Sequence, residues 1–480
     1  MLFTEKKMTL SFTRISLIRQ FHKSFLLIIA GVFSAGVAVA VVSPEDRARI
    51  GLEGTELTPS GAIRAGNAEG TIPEWKNEPI VPPSDFVTGE FHTDPFRDDA
   101  VQFKITAQNF QEYADKLSVG QRTMFETYPD FYMNIYPTRR SYVFKPYIYE
   151  AALKNLDRSE LIYAKDMNMG VVAFKGARKA WAFPIPRNGD EAWMNQASRP
   201  VNTWMDSVET TIAVTSGGDY TINKLSVQQH WMWSDPEITD EDFNPAQRGM
   251  LYNQVLVAPA KVAGQVVLAQ DPVVFSEIFR RAWAYSPGQR RVKRAPQIVY
   301  DNPLTASDGL ATTDQGWGFN GPNDRFSYKL LGRKEVYVPY NPYKIFATEA
   351  TPDKVINDKG RINQAYSRYE LHRVWIVEAT LKEGTSHDYG KRVYYLDEDT
   401  WWIMLVDGYD RRNKIWRHWE DHHVFYYDTG FMNRAAEIQY DFNANRMLYL
   451  AFDKSRGPDF AWRAPDKYFT PAAVRRRGIR

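Results

Sequence analysis

The stretch Trp401–His423, WWIMLVDGYDRRNKIWRHWEDHH, decides the fold class of this chain. Two runs of aromatic and branched residues, typical of strands, flank the turn-forming sequence Asp410–Asn413. A second turn sequence, Asp397–Thr400, lies just before the first run. The pattern predicts two antiparallel strands joined by a tight hairpin, with successive side chains on opposite faces.

From about Val208 onward the chain repeats this pattern of short strands and tight turns. Most gaps between the runs are too short for the helices that connect the strands of a parallel sheet. We therefore expect a mainly β fold of the α+β class, with one large curved antiparallel sheet, or half-barrel, covered by a few helices. The predicted strands are Val208–Val214, Tyr220–Gln228, Leu251–Ala258, Gln265–Ala269, Ala282–Tyr285, Gln289–Arg294, Glu335–Val338, Leu371–Thr380, Arg392–Leu396, Trp401–Tyr409, Ile415–Tyr427, Arg434–Phe442 and Met447–Phe452.

Helices are predicted mainly in the first half of the chain. The periodicity of apolar residues favours a helix over Ile105–Met124, and shorter helices over Ile148–Leu156 and Asp190–Asn195. The chain divides into four predicted regions: a signal peptide at 1–40, a Pro/Gly-rich N-terminal strap at 41–95, a single half-barrel domain with covering helices at 96–455, and a basic, solvated C-terminal tail at 456–480.

The composition excludes several classes of function. The chain has 480 residues, of which 44% are hydrophobic and 14% aromatic, and it has no cysteine. Disulfides, thiolate metal sites, a cysteine nucleophile and a lipid-modified N-terminal cysteine are thereby excluded. Without residues 1–40 the chain has 55 basic and 57 acidic residues, a balance that gives no reason to expect a nucleic-acid partner.

The N-terminus has the pattern of a secretory signal. Arg14, Arg19 and Lys23 precede an apolar run, Phe25–Val42, which contains the small-residue cleavage sequence Ala38–Ala40. The alternative is an uncleaved membrane anchor, although the run is near the lower length limit for a span. We expect export by a cleavable signal peptide to a Gram-negative periplasm, with peripheral attachment to the outer membrane as a further option.

Sequence motifs for catalysis or cofactors are weak. Gly316–Gly321 matches G-x-G-x-x-G, but strand-like Phe326–Leu331 follows where the dinucleotide motif needs a helix, so we expect a loop. The chain has neither a G-x-S-x-G elbow nor a P-loop. A carboxylate pair for glycoside hydrolysis stays open, because the separation of two acids is a three-dimensional property. We expect no cofactor and no enzyme activity.

His418 and His422 are weak metal candidates. On a helix their spacing of four would place them on one face, and on the predicted strand they share a face with Glu420. A shared metal would then need ligands from another strand, and no additional ligand pattern supplies them. We therefore expect the polar end of a strand rather than a metal site.

Aromatic residues on successive predicted strands give the strongest indication of a binding site. If they point to the concave face, they line a cavity for an apolar ligand. The alternative, that they form ordinary core beneath the helices, stays equally open. The candidates are Trp283, Tyr285, Trp375, Tyr394, Trp402 and Trp416.

A basic run, Arg290, Arg291, Lys293 and Arg294, is a second candidate site. On a strand its charges would occupy both faces. A solvated edge strand that is blunted by its charges is the favoured interpretation. The functional alternative is a dock for a lipid headgroup or for an acidic partner protein.

Several blocks of the sequence resemble an exported proteobacterial family of unknown function, domain of unknown function 1329. The matching blocks are Gly54–Ala62, Ala65–Trp75, Phe183–Pro186 with Asn188–Gly189, Tyr285–Val292, Lys334–Asn341 and Asp397–Arg417. That family is grouped with outer-membrane lipoprotein-sorting (LolA/LolB-like) proteins, which hold acyl chains in a half-barrel. The resemblance implies a similar fold, the handling of a hydrophobic molecule, and an outer-membrane barrel protein and an inner-membrane exporter as partners. It implies no catalytic residues.

Three functions remain from the sequence. The first is a periplasmic carrier or adaptor that binds a lipid-like or other hydrophobic molecule. The second is a non-enzymatic structural or interaction protein of the envelope, with a concave face filled by side chains. The third and least favoured is a hydrolase of envelope glycans or lipids. An open or a filled concave face distinguishes the first two.

Overall fold

One β-sheet of fifteen strands forms the body of the structure, a computed structural model that describes residues 42–163, 171–243, 249–273 and 280–478. The predicted signal peptide at 1–40 lies outside the described residues. Among the helices that are described, none is long and apolar enough to cross a membrane.

The strands are β1 (Phe103–Thr106), β2 (Tyr132–Ile135), β3 (Glu160–Tyr163), β4 (Val171–Lys175), β5 (Trp204–Val214), β6 (Tyr220–Trp231), β7 (Met250–Ala258), β8 (Val266–Asp271), β9 (Arg281–Ser286), β10 (Arg291–Arg294), β11 (Phe326–Pro339), β12 (Tyr369–Leu381), β13 (Lys391–Asp397), β14 (Ile403–Tyr409), β15 (Ile415–Tyr426), β16 (Phe431–Asp441) and β17 (Arg446–Phe452). The α-helices are α1 (Pro44–Arg49), α2 (Val119–Thr127), α3 (Pro146–Asn155), α4 (Gly189–Ala197), α5 (Tyr343–Phe346), α6 (Pro352–Val355) and α7 (Pro471–Gly478).

The large sheet is a nearly continuous antiparallel meander. Strands β12 to β17 are neighbours in chain order, β17 pairs with β5, and β5 to β10 again follow in order. β11 pairs with β12, and a parallel bridge between Tyr369 and Ile135 joins β12 to β2. The sheet is curved and open, because its outermost strands, β1 and β10, do not pair with each other. The predicted fold class is confirmed, and β3 and β4 add a separate hairpin.

Both turns of the stretch Trp401–His423 are present. In the turn between β14 and β15, Asn413 has a φ of 59°, and the Asp410 amide donates to the carbonyl of Lys414 at 2.9 Å. In the turn before β14, Trp401 has a φ of 61° and its amide donates to the carbonyl of Asp397 at 2.9 Å. These hydrogen bonds close the tight connections that the sequence predicts.

The pairing of the strands defines two faces of the sheet. Residues that are directly opposite one another on neighbouring strands form a row on one face. Because side chains alternate along each strand, a residue two positions along the strand from a member of a row lies on the same face. Face 1 carries the row Val377, Tyr394, Val406, Trp419, Gln439, Leu448 and Ala213, which are directly opposite one another from β12 across to β5. Face 2 carries the row Val393, Asp407, His418, Tyr440, Met447 and Val214.

Helix α4 covers face 1 over β11 to β13. Trp193 of α4 stacks on Tyr328 with ring centroids 4.6 Å apart and lies 4.5 Å from the ring of Tyr394. Trp193, Tyr394 and Trp375 belong to one buried cluster with residues of α3. In this half of the sheet, packed aromatic side chains fill face 1, and their burial stabilises the fold by about 25 cal/mol per Å² of apolar area.

Helix α2 covers part of face 2, and its start differs from the prediction. Ser118 Oγ accepts from the Gln121 amide at 3.1 Å, and Gln121 Oε1 accepts from the Ser118 amide at 3.0 Å. This capping box begins the helix at Val119. The first part of the predicted helix Ile105–Met124 is therefore wrong, since the chain there forms β1 and a 3-10 helix, Phe110–Lys116. The helices predicted over Ile148–Leu156 and Asp190–Asn195 are confirmed by α3 and α4.

Both ends of the described chain pack against the sheet. Residues of the N-terminal strap lie on the Asp397–Thr400 turn, where Trp401 Nε1 donates to the carbonyl of Ser60 at 2.8 Å. At the other end, α7 packs on β8, β9 and β10. The structure here differs from the predicted solvated tail, because Val474 of α7 is buried while Arg475 and Arg476 are exposed.

Gly120 allows α2 to approach face 2 closely. A Cβ at this position would lie 2.1 Å from His418 Nδ1 and 2.3 Å from Asp407 Oδ1. We expect Gly120→Ala to lower the free energy of unfolding by about 2–3 kcal/mol, because the helix or the buried pair must shift. Urea denaturation measures the change. Gly288→Ala, where no atom lies within 4 Å, should change the free energy by less than about 0.5 kcal/mol, and equal effects at the two positions would contradict this account.

Candidate functional site

A cavity of about 320 Å³ lies on face 1, between strands β5–β8 and β16–β17 and the chain that covers them. Its volume is at the lower end of the range for small-molecule sites, ~300–1,000 Å³. The side chains that β5, β7 and β8 contribute to its floor alternate along each strand, as residues on one face of a sheet do. The floor residues are Glu209, Thr211, Met250, Tyr252, Gln254, Val267, Ala269 and Asp271.

Much of the cavity wall is apolar. The rings of Tyr252 and Trp317 meet edge to face with centroids 5.9 Å apart. Other apolar side chains come from the strands and from the covering chain. They are Leu225, Met250, Val267, Ile298, Pro303, Leu304 and Leu450. An apolar body in this space is removed from water on several sides.

The cover segment, residues 295–325, is held on face 1 by a buried ion pair. Asp314 Oδ2 accepts from Arg392 Nη2 at 2.9 Å and lies 3.2 Å from His387 Nε2. Burial opposes ionisation of the carboxyl, but Arg392 and His387 hold the pKa of Asp314 well below its usual range. The G-x-G-x-x-G sequence Gly316–Gly321 lies in this segment, overlaps a 3-10 helix, Thr313–Gly318, and leads to strand β11, so the predicted loop is confirmed.

A charged cluster forms one end of the cavity. Arg434 Nη2 donates to Glu209 Oε2 at 2.8 Å, and Arg434 Nη1 donates to Glu437 Oε2 at 3.4 Å. Ala435 has no partner in the pairing of β16 with β15. This bulge places Arg434 and Glu437, three residues apart in the chain, on the same face of the sheet.

A second ion pair lies on another part of the wall. Arg280 donates to both carboxylate oxygens of Asp271, from Nε at 2.7 Å and from Nη2 at 2.8 Å. Asn320 Nδ2 also donates to Asp271, at 3.3 Å. Both arginines of the cavity wall are therefore already neutralised by carboxylates.

The remaining acid of the cluster, Glu437, has an unusual protonation. Burial raises the pKa of Glu437 to about 7, although Arg434 acts to lower it. Burial and the nearby Glu437 also raise the pKa of Asp421 well above its usual value, and neither carboxyl oxygen of Asp421 has a hydrogen-bond partner. The charged end of the cavity is consequently close to neutral at pH 7.

Four of the aromatic candidates lie away from this cavity. Trp375, Tyr394 and Trp402 are buried in the filled half of the sheet, and Trp416 packs against the same core. The guanidinium of Arg199 lies 4.3 Å above the ring of Trp402. The residues that line the cavity of about 320 Å³ do not include these four. Their role as ligand contacts stays a prediction.

The other two aromatic candidates lie on face 2. Tyr285 is directly opposite Val266. Val266 is next to the cavity residue Val267 in β8, so Val266 and Tyr285 lie on the other face of the sheet. Tyr285 and Trp283 pack with Val474 of α7 in a separate apolar cluster. Helix α7 thus covers them on the side of the sheet away from the cavity.

The basic run forms β10 and the turn before it. β10 is an outermost strand of the sheet and pairs with β9. Arg290, Arg291, Lys293 and Arg294 are all exposed. The run therefore has the edge position that the favoured interpretation required.

The histidines are buried, and the expected polar strand end is wrong. His418 and His422 are both 0% exposed, on face 2 beneath α2 and the loops beside it. Their Nε2 atoms lie 3.8 and 3.6 Å from the two carboxylate oxygens of Glu420. Burial works against a charged imidazole, but the hydrogen bond of Nδ1 with Asp407 Oδ1 at 2.9 Å and the nearby carboxylate of Glu420 outweigh it and raise the pKa of His418 to about 9. The charge of His418 is balanced by Asp407 of the neighbouring strand β14 and by Glu420 of its own strand. The contact with Asp407 cannot be seen from the spacing of residues in the sequence.

One buried group has the ligand types of a metal site. Oxygen or nitrogen atoms of His372, Asp397 and Asp399 lie within 4.8 Å of one another. Asp399, however, accepts from Arg140 with both carboxylate oxygens, at 2.9 and 2.6 Å. Its charge is thereby already balanced, so we assign the group to ion pairing beneath the strap.

Sequence reasoning missed the polar residues of the cavity. Arg434 and Glu437 lie in a run of otherwise apolar or small residues, Phe431–Ile438, and charges at such positions are a signal for a buried site. Glu209, the partner of Arg434, is distant from it in the chain. The end of strand β8 separates Asp271 from its partner Arg280. Only the three-dimensional pairing of β17 with β5 brings these groups together.

The raised pKa of Glu437 predicts a pH-dependent stability. The folded pKa of about 7 lies above the ordinary 4.5, so stability from this group is complete below pH 4.5 and is lost as the pH rises through 7. We expect Glu437→Gln to flatten the fall in unfolding free energy between about pH 4.5 and 7. Urea denaturation across this range measures it. The exposed Glu69→Gln should leave the profile unchanged, and a profile unaffected by either change would contradict the burial of a titrating Glu437.

Comparisons with known proteins place the chain in a family. The model of the family "Protein of unknown function (DUF1329)" matches residues 104–475. An uncharacterized protein of Pseudomonas aeruginosa is 38% identical over 446 residues, which cover 92% of this chain and 95% of that protein. Similar solved structures include a DUF1329 family protein from Desulfovibrio piger, with 14% identity, a TM-score of 0.39 and coverage of 59% of this chain and 95% of that one. They also include a LolA superfamily protein from Nitrosomonas europaea, with 13% identity and a TM-score of 0.36, and the match covers 59% of this chain and 98% of that one. The family resemblance seen in the sequence is confirmed, and the chain belongs to the DUF1329 family.

Proposed function

We propose that the protein is a periplasmic carrier or adaptor that binds an uncharged amphipathic molecule in the cavity on face 1. The observation that carries the proposal is the contrast between the two halves of this face. Packed aromatic side chains fill it over β11–β14, whereas a cavity of about 320 Å³ remains over β5–β8. A concave, largely apolar space with a few polar groups is typical of small-molecule sites.

The volume sets the size of the cargo. A water-sized unit occupies about 30 Å³ in a liquid, so a cavity of about 320 Å³ holds on the order of ten non-hydrogen atoms. Burying ten methylene groups contributes about 8 kcal/mol before the costs of binding are subtracted. Binding is then roughly micromolar or weaker, which suits a carrier that must also release its cargo.

The charges of the wall favour an uncharged polar group on the cargo. An anionic headgroup would have to compete with Glu209 for Arg434, or with Asp271 for Arg280. A cationic headgroup would bring an unbalanced charge against a largely apolar wall, which is costly. A hydroxyl or amide can donate to a carboxylate and accept from a donor without either penalty.

Binding rather than catalysis is the role we assign to the cavity. Its carboxylates Glu209 and Asp271 are engaged by arginines, which leaves them poorly placed as nucleophiles or bases. The third carboxyl, Glu437, has a pKa that burial raises to about 7, but it also accepts from Arg434. Placement in the periplasm follows from the signal pattern of residues 1–40. The family resemblance supports an outer-membrane barrel protein and an inner-membrane exporter as partners to which the cargo passes.

Filling the cavity tests the proposal directly. Ala269 lines the floor and is 5% exposed, so Ala269→Phe should occupy space that the cargo needs. Native mass spectrometry of protein recovered from the periplasm of a Gram-negative host should show a non-covalent adduct on the wild type. We expect Ala269→Phe to lose the adduct while keeping its secondary structure by circular dichroism.

The control is a matched change outside the cavity. Val257 lies on β7, is 46% exposed and does not line the cavity, so Val257→Phe should keep the adduct. A wild-type protein of clean apo mass that also fails to bind decanol in solution would overturn the proposal. The same adduct on Ala269→Phe would place the cargo elsewhere on the molecule.

A further inference from the structure

The free edge of the sheet next to the cavity is strongly basic. Residues 280–294 contain six cations, Arg280, Arg281, Arg290, Arg291, Lys293 and Arg294, and no acid. Arg280 is neutralised by Asp271. The other five extend along β9, the turn after it and β10, where the sheet ends.

Two of these cations lie on the face that carries the cavity. Lys293 is directly opposite Ala284 of β9, and Ala284 is directly opposite Val267 of β8, which lines the cavity. Arg291 is two positions from Lys293 and shares its face. Arg291 and Lys293 therefore continue the cavity face to the edge of the sheet.

The cavity and the basic edge also share part of their walls. Arg291 and Lys293 line a smaller depression of about 290 Å³. Val267, Gln297 and Thr305 line both this depression and the cavity of about 320 Å³. The cover segment thus runs from the basic edge directly over the cavity.

The exposed cations have no counter-charges within the described residues. Within this part of the chain, no ion pair involves Arg290, Arg291, Lys293 or Arg294, in contrast to the paired arginines of the cavity wall. On face 2, α7 packs on β10 and adds the exposed Arg475 and Arg476. The edge therefore presents positive charge from both faces of the sheet.

We propose that this basic edge docks the protein on an anionic phospholipid bilayer, with the cavity next to the membrane surface. The choice of a bilayer rests on the proposed function, because an apolar cargo resides in membranes. Addition of an acidic strand from another protein is disfavoured by the length of β10, four residues, and by its charges, which are features that block edge pairing. Basic residues near an anionic surface contribute additively and are screened by salt.

The test is co-sedimentation of protein recovered from the periplasm with vesicles of phosphatidylcholine, with or without phosphatidylglycerol. We expect binding to the anionic vesicles only, weakened by added salt. The double change Arg291→Gln with Lys293→Gln should weaken binding by about tenfold or more. A matched double change, Arg412→Gln with Lys414→Gln, removes one exposed Arg and one exposed Lys from the β14–β15 turn and should have little effect.

The two proposals fail separately in this experiment. Ala269→Phe should keep vesicle binding although it loses the cargo, so loss of cargo alone leaves the docking proposal standing. Equal binding to neutral vesicles, or equal effects of the two double changes, would overturn it. Binding to polyglutamate but not to anionic vesicles would overturn it in favour of an acidic protein partner.

Discussion

The buried ion pair between Asp314 and Arg392 is the interaction on which the cavity depends. Arg392 projects from β13, deep in face 1, and together with the hydrogen bonds of Asn320 to Asp271 and of Gln315 to Gln439 it holds the cover segment against the sheet. Removing one partner of such a pair leaves an uncompensated buried charge, at a cost of about 3–5 kcal/mol. Over β5–β8 the cover segment contributes a short 3-10 helix, Thr313–Gly318, and the ring of Trp317, which meets Tyr252 edge to face, but it forms no α-helix there. The space beneath it is the cavity.

The sequence left open whether the aromatic residues line a cavity or form ordinary core beneath the helices, and face 1 shows where each arrangement occurs. A filled face and an open face were alternatives, and face 1 contains both, in different halves of one sheet. Where α4 lies on the sheet, its Trp193 packs on Tyr328 and Tyr394, in one buried cluster with Trp375 and residues of α3. Where the cover segment, with its short 3-10 helix, lies over the sheet, small floor residues such as Ala269 leave room. The covering element, rather than the strands, decides which half can bind.

The meander could be predicted from sequence because its information is local. Turn sequences such as Asp410–Asn413 and the alternation of the strands are read within a few residues. The start of α2 was missed, although Ser118 and Gln121 form a capping box, because the apolar periodicity continued upstream through a strand and a 3-10 helix. The cavity could not be predicted, because Arg434, Glu209 and Asp314 find their partners across large separations in sequence.

The pairing of β17 with β5 has a consequence for the order in which the molecule assembles. Strands β12 to β17 close short loops and can form early, whereas Val214 and Met447 must meet across most of the domain. The entropy of closing so long a loop delays this contact. During synthesis from the N-terminus, β5 therefore gains its partner β17 only after the last strand in the chain has been made. The cavity, whose lining includes Leu450 of β17 and Glu209 of β5, is among the last features to form, and a nascent chain has no binding site until β17 is in place.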